Sequence, residues 1–513
     1  MSDKQDSPLI RRAILTFISN ILSQGAKLII SFLVTPIVIV GLGKELYGVW
    51  GIIQQVINYF ALSDLRPAGA MKFLLAMKQH EPDVEEKKRL IGSTLILWII
   101  SLPLMALTGF LIVHYSPLFI KTESKYVFSM QLALGIMILG AVFDRLLSIP
   151  ANVLRGQNLE YKGMGINAAA VLFGGVLNAV AIWLGWGIPG LAFMSLVGIL
   201  VSSVFRFRVA KKALPWMVFQ RPHGGEFKEF TKTSLWLSFS SLSGLLLNST
   251  DILLIGYFLN PSLAAVYLTT GAVLRLLTDP LTMLFSSANA GLAGLCGKGE
   301  WERVDQIRRE MYLVTIVAVT IIGVGVLCLN QAFLELWVGG GYFGGVPLNI
   351  LLVVVFFLTV LLRIDGAIVA AMMLFREQAK VFLIGGLVSI ITGALAMSFL
   401  GLPGMVLGLI CGQSLVIALT WRLLTQRLHI RVSEYLLGIA RPLFVGLGLL
   451  VASVIVTPYL HANTWVDFIL WAAGIGIVSI VIMWFVGLSQ QAKSILLERL
   501  SASGIDRFIP FRR

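Results

Sequence analysis

Five cations stand where an apolar sequence should exclude them: Lys27, Arg66, Arg145, Arg275 and Arg363 each fall well inside a hydrophobic run. Their types suit the binding of an anion, a phosphate above all, because Arg offers several donors in a planar fork. Each would cost about 2.5 to 3.5 kcal/mol at the centre of a bilayer. Five facing lipid would cost on the order of 12 to 17 kcal/mol, comparable to the net stability of a whole protein, so they face an interior. Carboxylates accompany them, with Asp64, Asp144, Asp251, Asp279 and Asp365 also inside predicted helices. Two readings of these charges stand side by side. In one they are ion pairs that fasten helices together, and Arg275 with Asp279, four apart on one helical face, makes such a pair alone. In the other they line a polar cavity, the cations binding a substrate and the carboxylates serving coupling or support, since ionisable groups within a membrane are functional candidates by default. Asp144 and Arg145, or Arg363 and Asp365, point in different directions and need partners on other helices.

Other chemistries lack their residues. No phosphate loop of the form Gly-x-x-x-x-Gly-Lys-Ser/Thr occurs, which argues against an ATP-driven pump in one chain. His80, His114, His223, His429 and His461 are scattered without metal-ligand spacing. Cys296, Cys328 and Cys411 all fall in apolar runs and read as small core residues, so neither a disulfide framework nor a metal site is expected. No nucleophile elbow is present, and no outer loop is long enough for a folded domain. The expectation is a transporter that is not an enzyme and needs no cofactor.

The elements that must position these charges are membrane helices. Hydrophobic residues make up 57% of the 513 and charged residues 13%, and the mean hydropathy is +0.88, against about 25% charged in soluble domains. Apolar runs at residues 13–41, 47–75, 91–114, 127–153, 165–186 and 188–205 are followed by runs at 233–259, 263–296, 311–331, 347–375, 379–400 and 403–424. Two more lie at 436–459 and 465–488. Each run meets or approaches the roughly 20 residues of a bilayer core. Pro36, Pro67, Pro150 and Pro280 mark kinks inside four of them.

The order of features repeats. Asp144, Arg155 and Gln157 are answered by Asp365, Arg376 and Gln378 at identical spacing, and Gly187-Ile188-Pro189-Gly190 by Gly401-Leu402-Pro403-Gly404. The expected fold is therefore an all-α polytopic membrane protein of about fourteen transmembrane helices, with two parallel six-helix repeats and two extra C-terminal helices. Residues 1–205 form the first lobe, 206–232 a basic linker, 233–430 the second lobe, 431–488 the additional helices and 489–513 an amphipathic tail. The net charge of +14 could suggest nucleic acid, but the Lys and Arg lie between apolar runs, as in loops retained on the cytoplasmic side. That bias places both termini and the linker in the cytoplasm, and residues 299–311 read as a surface-lying helix there.

Several short motifs carry a resemblance. They are Leu42-Gly43 with Tyr47-Gly48-Val49-Trp50, Leu62-Ser63-Asp64-Leu65, Leu154-Arg155-Gly156-Gln157, Asp251-Ile252-Leu253-Leu254-Ile255-Gly256-Tyr257-Phe258-Leu259 with Val266-Tyr267, and Leu336-Trp337-Val338-Gly339. The chain resembles the polysaccharide flippases, in the superfamily that also holds the MATE drug exporters and the lipid II flippase. Arg66 departs from the family pattern, which more usually has Gly after Asp64-Leu65. What the resemblance implies is a central cavity opening alternately to either side and a cargo of polyprenyl-pyrophosphate-linked oligosaccharide, moved from the inner to the outer leaflet of the cell inner membrane. It further implies membrane lipids, a polysaccharide polymerase and chain-length machinery as partners. The alternative is a cation-coupled drug exporter, which would more naturally show twelve spans and an unpaired interior carboxylate.

Overall fold

In the computed structural model, residues 3–78, 83–286, 289–428, 432–490 and 492–494 are described, and among them there are helices and turns but no strand. The chain divides into two compact units, Met1–Leu268 and Thr269–Arg513. The first contains α1 (Asp3–Phe60), α2 (Pro67–Met77), α3 (Val84–Phe119), α4 (Val127–Leu147), α5 (Ile149–Gly156), α6 (Met164–Trp183), α7 (Gly187–Ala213), α8 (Gly224–Asn248), α9 (Asp251–Phe258) and most of α10 (Pro261–Thr270). The second contains α11 (Ala272–Ser286), α12 (Asn289–Lys298), α13 (Trp301–Val338), α14 (Val346–Ala371), α15 (Phe375–Leu400), α16 (Leu402–Leu428), α17 (Val432–Val456) and α18 (Trp465–Ile482).

Among the described residues, eleven helices are long and apolar enough to cross a bilayer, and up to 13 if each of two bent pairs is one span. The fourteen expected runs differ from this in identifiable places. The run at 13–41 is continuous with the next in α1, interrupted by Gly43 at φ 73°. The run at 47–75 stops at Phe60 and resumes as the 11-residue α2. The run at 233–259 is α8 plus α9, bent by 55°. There Asn248 donates to Gly244 O and the Thr250 hydroxyl to Leu246 O, side-chain competition that loosens the helical ladder. The tail after residue 494 lies outside the described residues.

Two features add detail at the linker and the following loop. Residues 206–213 continue α7 and 224–232 begin α8, so only 214–223 is non-helical. Residues 301–311 are the opening turns of the 38-residue α13 rather than a separate surface helix. Of the three cysteines only Cys328 is buried, and Cys411 is exposed.

Packing in each unit follows small residues. The repeated Gly-x-Pro-Gly motif starts a helix in both units, with Gly187 at φ 58° and Gly401 at φ 62° ahead of a first-turn Pro. On α16, Gly404, Gly408 and Gly412 recur every four residues against α15. A Cβ on Gly408 would sit 2.3 Å from Gly393 Cα, and one on Gly412 would sit 2.5 Å from Gly385 O. Such backbone contact replaces the hydrophobic driving force that lipid removes. In the first unit, Met71, Leu75, Val153, Leu154, Ala210 and Phe230 form a buried cluster that locks α2, α5, α7 and α8 together.

Candidate functional site

That cluster supports one wall of a polar cavity of about 310 Å³ within the first unit. Asp64 and Arg66 reach it from the turn between α1 and α2, Lys72 from α2, Asp144 and Arg145 from α4, Arg155 from α5, and Arg206 from α7. Five cations (Arg66, Lys72, Arg145, Arg155, Arg206) meet three carboxylates (Asp64, Asp144, Glu160), an excess of two positive charges.

The turn that carries Asp64 is built against ordinary backbone preference. Leu65 and Arg66 both take left-handed conformations, φ 61° and 54°, which cost a side-chain-bearing residue about 1 to 2 kcal/mol each. Local bonds hold them there. Asp64 Oδ1 accepts from the Arg66 backbone N–H at 2.7 Å, Ser234 donates its hydroxyl to Leu65 O, and the Arg66 guanidinium donates to Ser241. Pro67 then opens α2, which disfavours a helical Arg66 and helps explain why the predicted span breaks here. A Gly at 66, which the resemblance leads one to expect, would take this left-handed position without a side-chain penalty.

Asp64, 1% exposed, faces Arg145 Nε at 3.6 Å. That distance makes a charge pair without a hydrogen bond, and Arg145 Nε stays buried without any hydrogen-bond partner. Arg206 Nε is in the same condition. Arg155, by contrast, is closed by Glu160 at 2.7 Å. Its helix is fastened by the neighbouring motif residues: Gly156 lies so near α2 that a Cβ would come 2.9 Å from Lys72 O, and Gln157 donates to Leu75 O at 3.2 Å. Among the described residues, no carboxylate lies within ion-pair distance of Arg66, Lys72 or Arg206.

Of the residues singled out in the sequence, the cavity thus gathers Asp64, Arg66, Asp144 and Arg145. Lys27 is exposed on α1 and does not line it. Asp251 heads α9, buried, and accepts from the Tyr267 hydroxyl at 2.5 Å, which joins two of the motifs quoted above. Arg275 and Asp279 are exposed on α11, and Arg363 is exposed on α14. Asp365 belongs to a different structure. Its two oxygens accept from Arg308 Nε and the Tyr312 hydroxyl, each at 2.8 Å, and Trp421 Nε1 donates to that hydroxyl at 3.0 Å. Arg308 and Asp365 side chains are both 1% exposed. The guanidinium carbon lies 5.2 Å from the Tyr312 ring and 5.0 Å from the Trp421 ring.

Lys72, Arg155, Arg206 and Arg308 were missed as interior charges. Runs of charge lower the hydropathy around 206–232 and 299–311, so the sequence places Arg206 in a linker and Arg308 in a surface-lying helix. Helical periodicity carries the missing signal: Arg308 shares a face with Val304, Met311 and Thr315, all buried.

The sequence model of the family described as "Polysaccharide biosynthesis protein" matches residues 15–290, more than half of the chain. A relative in Bacillus subtilis (strain 168), "Uncharacterized membrane protein EpsK", is 21% identical over 351 residues, 65% of this chain and 67% of its own. Among solved structures, the lipid II flippase MurJ in an inward closed conformation aligns with a TM-score of 0.66 at 16% identity, over 96% of this chain and 99% of that one. An inward-facing multidrug resistance MATE family transporter aligns with a TM-score of 0.61 at 18% identity, over 79% and 94%. The fold is shared with these transporters, and it is that of a multi-pass membrane protein.

Proposed function

Since the chain belongs to the Polysaccharide biosynthesis protein family, we propose that it is a flippase for a polyprenyl-pyrophosphate-linked oligosaccharide. It moves this cargo from the cytoplasmic to the outer leaflet by alternating access, feeding cell-surface polysaccharide synthesis in the inner membrane. The observation that supports this reading is the cationic cavity, whose surplus charge and two buried guanidinium Nε groups without hydrogen bonds suit a diphosphate. Its size suits the charged linkage rather than a whole glycan. Arg66, Arg145 and Arg206 are the proposed phosphate contacts, with Lys72 behind them. Lys27, Arg275 and Arg363 stay in the proposal as further cargo contacts, with Asp144, Asp251 and Asp279 as supporting carboxylates. A polymerase and chain-length machinery are the proposed downstream partners. The drug-exporter alternative would use an unpaired interior carboxylate, whereas Asp64 and Asp365 both face Arg.

The test is translocation of a fluorescent polyprenyl-pyrophosphate saccharide in proteoliposomes. Arg145→Ala and Arg206→Ala should each weaken cargo binding by about 1.5 to 3 kcal/mol, tenfold or more. Lys at either position should restore only part, because it lacks the fork. Folded variants that move the cargo at the unmodified rate would overturn the assignment.

A further inference from the structure

On the opposite side of the helices that carry Arg145 and Arg206 lies a second cavity, of about 890 Å³, again within the first unit. Its volume falls in the ~300 to 1,000 Å³ range of built ligand pockets. Its walls are apolar: Leu95 from α3, Ile149 from α5, Leu200, Val204 and Phe207 from α7, and Phe219 from the segment that follows α7. Val204, Phe207 and Phe219 are about half exposed, at 50%, 48% and 56%. The segment's seat is fixed, because it crosses α3 so closely that a Cβ on Gly92 would fall 1.8 Å from Gln220 O.

The lining is ordered along α7. Leu200, Val204 and Phe207 occupy one face, and the same face continues directly into Arg208, Lys211 and Lys212, all exposed. At about 1.5 Å per residue the apolar stretch covers roughly 10 Å and the cations the next 6 Å. No carboxylate lies within ion-pair distance of these three among the described residues. A greasy slot that ends in uncompensated cations matches a molecule with hydrocarbon at one end and a phosphate at the other.

The geometry points to a bound anionic phospholipid, with an acyl chain along Val204, Phe207 and Phe219 and its phosphate over Arg208, Lys211 and Lys212. The lipid packs against the backs of α4, α5 and α7, whose other sides form the cationic cavity, so its binding stiffens the frame that holds Arg145 and Arg206. Exposed aromatic and aliphatic side chains then face lipid tails, as their composition demands.

The experiment places the purified full-length protein in nanodiscs of phosphatidylcholine with a minor fraction of phosphatidylglycerol carrying a photoreactive acyl chain. Retained lipid is counted by native mass spectrometry, and crosslinks are mapped by peptide sequencing. Phosphatidylglycerol should be retained in preference to phosphatidylcholine, with crosslinks at Phe207 or Phe219. Replacing Arg208, Lys211 and Lys212 by Gln should lower that preference about fivefold per charge, the worth of one basic residue at an anionic surface. Val204→Trp, which narrows the slot beside Phe207, should lower retention with the cations intact. Lys228→Gln with Lys232→Gln removes two exposed charges from α8, outside the slot, and should change nothing. Equal retention of the two lipids, an equal effect of the α8 pair, displacement by millimolar inorganic phosphate, or crosslinks confined to other helices would each overturn the site. No glycolipid is used, so the outcome does not depend on what the protein transports.

Discussion

Asp365 and Arg308 make the most deeply buried ion pair among the described residues, and on the carboxylate side each oxygen already has a donor. Removing one partner strands a charge away from water. Arg308→Ala should therefore destabilise the protein by about 3 to 5 kcal/mol, while Arg308→Met with Asp365→Leu should recover most of that. Membrane accumulation and thermal unfolding in detergent check both, and a stable single variant would contradict the pairing. Arg66 poses the opposite problem, a functional group in a strained position. Arg66→Gly should raise thermal stability by about 1 kcal/mol through relief of the left-handed backbone, and lower transport through loss of the cation. A less stable Gly variant would mean that the Ser241 bond outweighs the strain. At this scale the sequence shows which residues are too costly to leave in lipid, because the cost depends on residue type. It does not show their partners: Asp64 meets Arg145 from 81 positions away, and nothing in either neighbourhood specifies the other.

Helices were legible as apolar runs, but their breaks only where a Pro marks them, as Pro67 and Pro150 do in the first turns of α2 and α5, because hydropathy is blind to a turn made from apolar and polar residues alike. The stretch from Ala61 to Arg66 turns through side-chain bonds of Ser63 and Asp64, and only Pro67 hints at it in sequence. The close packing of α15 on α16 was hidden differently, since Gly is common in membrane helices and its role appears only when the facing surface is known. The recurrence of Gly404, Gly408 and Gly412 is the small-x-x-x-small pattern that lets backbones touch. Gly408→Leu should separate the two helices and sharply lower the yield of folded protein, as even a Cβ meets backbone atoms there. Gly448→Leu on α17, where a Cβ meets nothing within 4 Å, serves as the control and should accumulate normally. Equal yields of the two variants would show that α15 and α16 are not held by this contact. Equal spacing is also weaker evidence than equal local structure. Arg155 lies inside α5 while Arg376 opens α15, whereas Gly187 and Gly401 start their helices in the same way.

For the molecule as a whole, fold class follows from composition, since a chain with so much apolar surface and so few charges has only a bilayer in which to place them. The remaining charges bear on orientation. Arg89, paired with Glu226 at 3.0 Å, ties the start of α3 to the start of α8, and Lys78 pairs with Glu86 nearby, so these basic segments share one end of the first unit. Lys125 belongs to the 120–126 connection, beyond the far end of α3. The 36 residues of α3 span about 54 Å, more than the ~30 Å hydrocarbon core, so its two ends lie on opposite sides. We propose that this side is cytoplasmic, because the excess of Lys and Arg around 206–232 favours retention there. After replacement of Cys296, Cys328 and Cys411, a single cysteine at Lys125 should react with an impermeant thiol reagent added outside intact cells, and one at Gly224 only after the membrane is opened. The reverse pattern would turn the whole chain over, and with it the leaflet from which the cationic cavity could take its cargo.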